Sequence, residues 1–112
     1  MRFIARLCEF CGGKPAGLKL CIGGPGNFWG CAKAMVESGI YPDFIVVDGK
    51  EGGAGAAPLE FTDRLGIPLR EGLVFMRDAL IGIGARDRVR IGCSGNIVNS
   101  FDMAVALALG AD

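Results

Sequence analysis

Three short apolar runs divide this chain, each stopped by a turn and each followed by residues with helical spacing. The runs lie at residues 18–22, 43–47 and 89–93. They predict strands, because strands are short, apolar and bounded by turn residues. A helix after each strand must carry the chain back to the same edge of the sheet before the next strand begins. The sequence therefore predicts parallel strands and an α/β fold.

Apolar residues three or four positions apart predict four helices. These helices span residues 2–11, about 28–38, 69–83 and about 100–109. Asn27 is the predicted N-cap of the second helix, since its short side chain can accept a hydrogen bond from the first free backbone N–H groups. The chain thus contains about three parallel β-α units.

Both outer edges of the predicted sheet lack a partner strand. The first helix is not preceded by a strand, and residues 111–112 stand where the pattern predicts another one. Natural domains pair or cover such edges. We therefore expect residues 1–112 to be one unit cut from a larger α/β domain, or a module that associates with itself through its open edges.

Charge and composition exclude several classes of partner. The chain has 12 Lys+Arg and 12 Asp+Glu, so it has no net field to attract nucleic acid or an anionic membrane. No stretch approaches the roughly 20 apolar residues of a membrane span, and no signal peptide is recognisable. We expect a cytoplasmic protein without nucleic-acid or membrane partners.

Five cysteines, at positions 8, 11, 21, 31 and 93, occur without any histidine. An odd number at irregular spacing does not predict a disulfide framework. The pair Cys8 and Cys11 has the spacing of half a zinc site or of a redox dithiol. A second half-site is missing, so we interpret this pair as small residues on a helix face and predict no metal site.

Candidate site residues follow from the rule that ligands of parallel α/β folds bind at the carboxyl ends of the strands. Lys19 lies inside the first predicted strand, between Leu18 and Leu20. A lysine is costly to bury without an anionic partner, so it is expected to reach a ligand or a carboxylate. The alternative is an aliphatic stem that extends to the rim and leaves the ammonium in water.

The glycine-dense loop from residue 48 to residue 58 is longer than most loops after such a strand, and long loops in compact domains are usually functional. Gly52 and Gly53 would let backbone N–H groups approach a ligand. The loop matches neither the dinucleotide fingerprint nor the P-loop. Asp48 and Glu51 add carboxylates that either contact a ligand or serve as capping and solvated loop residues.

A second turn, formed by Ser94, Gly95 and Asn96, precedes the last predicted helix. N–H groups at a helix start, together with the helix dipole, form an anion site. Barrels of the (β/α)8 type often bind a phosphate in this late position. The turn is therefore a candidate phosphate cradle.

Three stretches carry a family resemblance: KLCIG at residues 19–23, DFIVVDGKEGGAGAAPLEFTDRLGIPLREGL at residues 43–73, and RVRIGCSGNIVNSFDMAVALALGAD at residues 88–112. Together they resemble the FMN-binding barrel domain of glutamate synthase. The resemblance implies a fragment of a (β/α)8 barrel, comprising about strands five to seven. A complete barrel needs about 200 residues or more.

The resemblance also implies roles for single residues. Lys19 matches a strand lysine beside the flavin and the 2-oxoglutarate site, where it is the predicted catalytic residue. Glu51, Gly52 and Gly53 match a loop over the flavin, and Gly95 with its neighbours matches a turn that holds the FMN phosphate. Ser94 departs from the family pattern, which often has an acidic residue there.

The implied activity is the reductive amination of 2-oxoglutarate to glutamate by hydride from reduced FMN. The ligands of the family's iron–sulfur cluster are not among these five cysteines, and the fragment alone is expected to be inactive. Two alternatives remain open. One is a non-catalytic module that self-associates, and the other is a piece of another FMN barrel, such as a hydroxy-acid oxidase or IMP dehydrogenase relative. Those families rely on a histidine or a catalytic cysteine loop, and this chain has no histidine.

Overall fold

The computed structural model describes residues 1–50, 58, 60–61 and 64–112. Within them, every predicted helix and strand is confirmed, with ends that differ by a few residues at most. The four helices are α1 Arg2–Phe10, α2 Pro25–Ser38, α3 Leu69–Gly82 and α4 Ser100–Leu109. The three strands are β1 Gly17–Cys21, β2 Phe44–Asp48 and β3 Arg90–Ser94.

The strands form one parallel sheet in the order β1-β2-β3, which confirms the predicted direction of pairing. Successive side chains of a strand point to opposite faces, so the register divides the strand residues into two sets. The first set forms the rows Gly17–Phe44–Arg90, Lys19–Val46–Gly92 and Cys21–Asp48–Ser94. The second set forms the rows Leu18–Ile45–Ile91 and Leu20–Val47–Cys93.

The second set faces the helices. Ile45, Val47 and Ile91 are at most 1% exposed and form one core cluster with buried residues of α2, α3 and α4. Met35 of α2 and Leu73 of α3, both 0% exposed, are among the largest fully buried side chains of that cluster. Burying each such side chain contributes about 1.5 to 3 kcal/mol. These three helices therefore cover one face, which we call the covered face. The opposite face, which none of these three helices covers, we call the open face.

Helix α2 begins earlier than predicted. Its N-cap is Gly24, in an extended conformation, and Pro25 occupies the first turn, where its missing N–H costs nothing. Asn27 lies inside the helix and its backbone N–H donates to the Gly24 carbonyl at 3.1 Å. The prediction that Asn27 caps α2 was therefore wrong. Helix α4 does have a side-chain cap, a capping box between Asn99 and Asp102.

Asp112 returns the chain to the sheet after α4. Its backbone N–H donates to the Ile91 carbonyl at 2.8 Å, and its carboxylate accepts from the Ile91 N–H at 2.7 Å. Arg86 and Arg90 lie 3.0 and 3.2 Å from the same carboxylate. The backbone N–H of Arg90 donates to the Asp43 carbonyl, on the side of β3 that faces β2. Asp112 bonds to the next residue, Ile91, and therefore lies along the other edge of β3. The residue thus lies where the pattern predicted the next strand.

Burial alone would raise the pKa of the Asp112 carboxyl. Hydrogen bonds from the two arginines and from the Ile91 backbone outweigh that effect and hold the pKa below its ordinary value. The amino end of β3 is therefore fastened by a carboxylate that stays ionised.

No helix in the described part of the chain is long and apolar enough to cross a membrane. All five cysteines lie outside disulfides, and the described residues contain no group of three or more His, Cys, Asp or Glu arranged to hold a metal ion. Cys8 lies in α1 and Cys11 at its C-cap. This placement agrees with the interpretation of the pair as helix residues.

Candidate functional site

The carboxyl ends of the three strands bring polar side chains together on the open face. Cys21, Asp48 and Ser94 form the last cross-strand row, and Lys19 lies two residues before Cys21 on the same face. A residue and its diagonal neighbour on the next strand are about 7 to 8 Å apart at Cα, within reach of a long side chain. Lys19 and Asp48 are such a diagonal pair.

Asp48 is the one charged side chain that is buried in the described part of the chain, at 8% exposure. Both of its carboxylate oxygens have a partner. The Lys19 Nζ lies 3.2 Å from Oδ2, and the Ser94 hydroxyl donates to Oδ1 at 2.5 Å. A buried carboxylate is tolerated when it is paired and hydrogen-bonded in this way.

Lys19 therefore reaches a carboxylate, as one of its two interpretations expected. Its side chain remains 57% exposed, so the ammonium lies at the border between Asp48 and solvent on the open face. An ammonium has three N–H donors. The arrangement presents a cation to the open face while one side of that cation is held by the sheet.

The turn after β3 approaches the end of β2 closely. The Gly49 N–H donates to the Ser94 carbonyl at 2.9 Å. Gly95 has φ +125°, and a Cβ there would lie 3.2 Å from the Gly49 nitrogen. Asn96 follows with φ 50°, in the left-handed region that Asn tolerates better than most residues. Glycine at 95 is thus required by both conformation and space.

The N–H groups of Gly95, Asn96 and Ile97 donate to no described residue, and α4 begins three residues farther on. This leaves the donors that a phosphate cradle needs at this turn. The Ser94 hydroxyl, which was predicted to belong to the same cradle, is instead engaged by Asp48. The Ser94 side chain therefore contacts Asp48, whereas the backbone N–H groups of Gly95 and Asn96 contact no described acceptor.

The long loop after β2 begins and ends at the edge of the sheet formed by the carboxyl ends of the strands, which we call the rim. The Lys50 N–H donates to the Ile67 carbonyl at 3.2 Å, and the Ile67 N–H donates to the Ile22 carbonyl at 2.9 Å. The base of the loop is thereby tied to the carboxyl ends of β1 and β2. Glu51, Gly52 and Gly53, the predicted flavin-covering residues, lie outside the described residues.

A cavity of about 310 Å³ lies beside this rim, between the starts of α3 and α4. Leu69 and Arg70 line it on one side, and the turn from Gly95 to Ile97 lines it on the other. The start of α3 was not among the predicted site residues. Proximity of α3 to the β3 turn depends on how the helices pack, and no local sequence signal marks it.

Two cysteines near the rim differ in environment. Cys93 precedes Ser94 but faces the helices, and burial raises the pKa of its thiol, which disfavours the reactive thiolate. Cys21 was not among the predicted site residues, although it shares the last row with Asp48 and Ser94. Its thiol donates to the Leu65 carbonyl at 3.7 Å. The alternation of side chains would have placed Cys21 on the open face once the register was known.

Comparison with known proteins identifies the family. Residues 1–112 match the family model described as the conserved region in glutamate synthase. The chain belongs to the glutamate synthase family. This confirms the family that the three sequence stretches resembled.

Several curated relatives of this glutamate synthase family chain are known. The glutamate synthase large subunit-like protein YerD of Bacillus subtilis (strain 168) is 41% identical over 110 residues, which are 98% of this chain and 21% of that protein. The archaeal-type NADPH glutamate synthase of Thermotoga neapolitana is 40% identical over 99 residues, 88% of this chain and 19% of that protein. The chloroplastic ferredoxin-dependent glutamate synthase 2 of Arabidopsis thaliana is 39% identical over 70 residues, 62% of this chain and 4% of that protein.

The chain therefore spans about a fifth of the length of the first two relatives. The matched region corresponds to one segment of a much larger protein in each case. The sheet and the open face described above belong to this chain, which aligns with that one segment.

Proposed function

We propose that this chain is part of an FMN-dependent (β/α)8 barrel that converts 2-oxoglutarate to glutamate, and that it supplies about strands five to seven. The strand order β1-β2-β3 and the packing of α2, α3 and α4 on one face support this proposal. A doubly wound sheet would have helices on both faces, whereas a barrel has them outside and polar site residues at the carboxyl ends of its strands.

The observation that carries the proposal is the cation on the open face. The Lys19 ammonium stands at the carboxyl-end rim, 57% exposed and held from one side by Asp48. In a closed barrel this face points inward, towards the barrel mouth. Lys19 would bind a carboxylate of 2-oxoglutarate or stabilise negative charge on the cofactor.

The residues present fit the phosphate end of FMN. Three successive N–H groups, at Gly95, Asn96 and Ile97, have no described acceptor and precede α4. Backbone N–H groups at such a turn bind anions, and the close packing of Gly95 on Gly49 fixes their direction. The cofactor, when bound, supplies the hydride. The residues of this chain bind and orient, and we assign Glu51, Gly52 and Gly53 to covering the site.

The electron donor and the iron–sulfur cluster belong to other parts of the parent protein in this proposal. The names of the relatives specify NADPH in one protein and ferredoxin in another, although both share this region. A donor site that differs between proteins is expected outside the shared segment.

A chimera tests the proposal. The segment of the Thermotoga neapolitana enzyme that aligns with this chain is replaced by this chain, and the purified protein is assayed for bound flavin and for glutamate formation from 2-oxoglutarate. We expect a flavin-containing, active chimera. Lys19→Met should lower kcat/KM by about 100-fold or more, since a preorganised charge at a reacting centre contributes that much.

Lys33→Met is the matched control, because Lys33 is 75% exposed on α2 and pairs with Glu37. It should leave flavin content and kcat/KM unchanged. A chimera that folds but holds no flavin would contradict the proposal, as would an active chimera that is indifferent to Lys19→Met.

A second candidate, a self-associating module, is favoured by exposed apolar side chains on both terminal helices. Phe3 and Phe10 on α1 are 71% and 80% exposed, and Phe101 on α4 is 71% exposed. Phe3 and Phe10 are seven residues apart and so lie on one face of α1, and exposed apolar patches mark interaction sites. Light scattering on the isolated chain over a range of concentrations tests this candidate: a concentration-independent monomer contradicts it, and a defined oligomer without flavin affinity favours it.

A further inference from the structure

The ion pair at the rim is asymmetric. Asp48 is 8% exposed and fixed in the sheet, whereas the Lys19 side chain is 57% exposed. Ser94 donates to one carboxylate oxygen and leaves the other directed at β1. The carboxylate thus has one orientation, and Lys19 is the movable partner.

The interaction between Lys19 and Asp48 is weak enough for the ammonium to bind an anion at the same time. The Lys19 ammonium is exposed to water, which screens its attraction to Asp48, so the contact is weak. The Lys19 Nζ lies 3.2 Å from one Asp48 oxygen, and an ammonium has three N–H donors, so donors remain for an anion that approaches from the open face. Binding of a carboxylate or phosphate at Lys19 therefore does not require breaking the contact with Asp48.

We propose that Asp48 and Ser94 are positioning residues that act on the bound anion through Lys19, rather than cofactor contacts of their own. Ser94 orients the Asp48 carboxylate, and Asp48 holds the ammonium at the rim, where its N–H donors remain available to an anion. This proposal rests on the proposed function, since it concerns the same cation. It assigns the two residues a role that differs from the predicted contact with the cofactor.

The proposal makes a kinetic prediction that a merely structural role does not. Asp48→Asn removes a negative charge beside Lys19, so an anionic substrate is attracted at least as strongly as before. The ammonium is then no longer held in one place, and small misplacement of a catalytic group is costly. In the chimera, kcat should fall about tenfold while the KM for 2-oxoglutarate does not rise.

Variants of Ser94 provide the matched controls. Ser94→Ala removes the hydroxyl that orients the carboxylate and should lower kcat in the same direction but less than Asp48→Asn. Ser94→Thr keeps the hydroxyl and should retain more of the kcat than Ser94→Ala does. The double variant Asp48→Ser/Ser94→Asp moves the carboxylate one strand away from β1, about 4.8 Å, and should not restore kcat.

A labelling experiment tests whether Asp48 restrains Lys19 in the chain itself, without flavin or turnover. The full chain and its variants are acylated with a water-soluble succinimidyl ester, and the rates at Lys19 and Lys33 are compared by peptide mass spectrometry. The rate at Lys19 relative to Lys33 should rise about 1.4- to fivefold in Asp48→Asn, the range that an ion pair of this kind implies. It should rise less in Ser94→Ala and least in Ser94→Thr.

The two measurements separate the possible failures. Unchanged Lys19 labelling in Asp48→Asn overturns the positioning role whatever the chimera does. An active chimera in which Asp48→Asn leaves kcat unchanged, or in which the double variant restores it, also overturns that role and leaves the proposed function standing. A chimera without flavin contradicts the proposed function. It also overturns the positioning role that rests on that function, even if labelling shows that Asp48 restrains Lys19.

Discussion

Two carboxylates pair with cations at opposite ends of the same sheet, and they are built differently. At the amino end of β3, Asp112 binds two arginines and both polar groups of the Ile91 backbone. At the carboxyl end of β2, Asp48 binds one lysine and one serine hydroxyl. The first carboxylate is tied to the backbone, and the second is tied to side chains.

The difference indicates which end is structural. Guanidinium groups are planar and form fixed, directional hydrogen bonds, whereas an ammonium on a flexible stem can turn towards a new partner. Arg86 is 23% exposed and also donates to the Gly110 carbonyl, so it joins α4's end to the sheet. Lys19 is 57% exposed and faces an open surface. Charges at the amino end therefore fasten the fold, while those at the carboxyl end remain available to a ligand.

The largest change in stability is expected from the turn that holds the carboxyl-end cluster together. Gly95→Ala places a Cβ against the Gly49 backbone at a φ of +125°, and we expect a loss of about 1 to 3 kcal/mol. Urea unfolding followed by fluorescence of Trp29, the single tryptophan, which packs on Phe75 at 6.0 Å, measures it.

Gly30→Ala is the control for this change. Gly30 lies within α2 with no atom within 4 Å of an added Cβ, so alanine should stabilise the chain by about 0.5 to 1 kcal/mol. Equal effects of the two substitutions would show that the tight contact between the ends of β2 and β3 does not exist in solution.

The sequence was sufficient for the helices, the strands and the parallel pairing, because each of these follows from local periodicity and from the connections between elements. It was also sufficient to expect a partner for Lys19, since a lysine between two leucines in a strand needs one. The start of α2 was missed because Asn27 was predicted to be its N-cap, although Pro25 suits the first turn of a helix.

The identity of the partner could not be predicted, because it depends on register. Asp48 was interpreted as the first residue of a glycine loop and Ser94 as the first residue of a cradle. They are instead the last residues of β2 and β3 and are paired across the sheet. A shift of one residue would place them on the covered face. Only the pairing of the strands decides between these positions.

An intermediate effect is expected at the amino end. Asp112→Asn removes the charge that both arginines and the Ile91 N–H stabilise, and we expect a loss on the order of 1 to 2 kcal/mol at pH 7. The pKa of Asp112 is lower in the folded chain than in the unfolded chain. The stability it contributes is therefore fully present above the unfolded pKa and is lost as the pH falls through the folded one.

Unfolding curves from pH 7 to pH 3 measure this dependence. The difference between the parent and Asp112→Asn should be constant above about pH 5 and should shrink below the ordinary Asp pKa of about 3.9. A difference that grows on acidification would mean that the carboxyl is not stabilised in its ionised form, and the contrast between the two ends would fail.

The smallest change in stability is expected at Asp48, the residue to which we assign the positioning of Lys19. Asp48→Asn breaks the contact with Lys19, which is worth at most about 1 kcal/mol, but it also removes the cost of keeping a carboxylate at 8% exposure. The amide oxygen can still accept from the Ser94 hydroxyl. These effects offset each other, so the free energy of unfolding should change by less than about 0.5 kcal/mol. A loss as large as that of Asp112→Asn in the same urea titration would place both carboxylates among the structural contacts. A near-neutral result means that the sheet does not need the Asp48 charge for its stability, and the charge is then explained by what Lys19 binds.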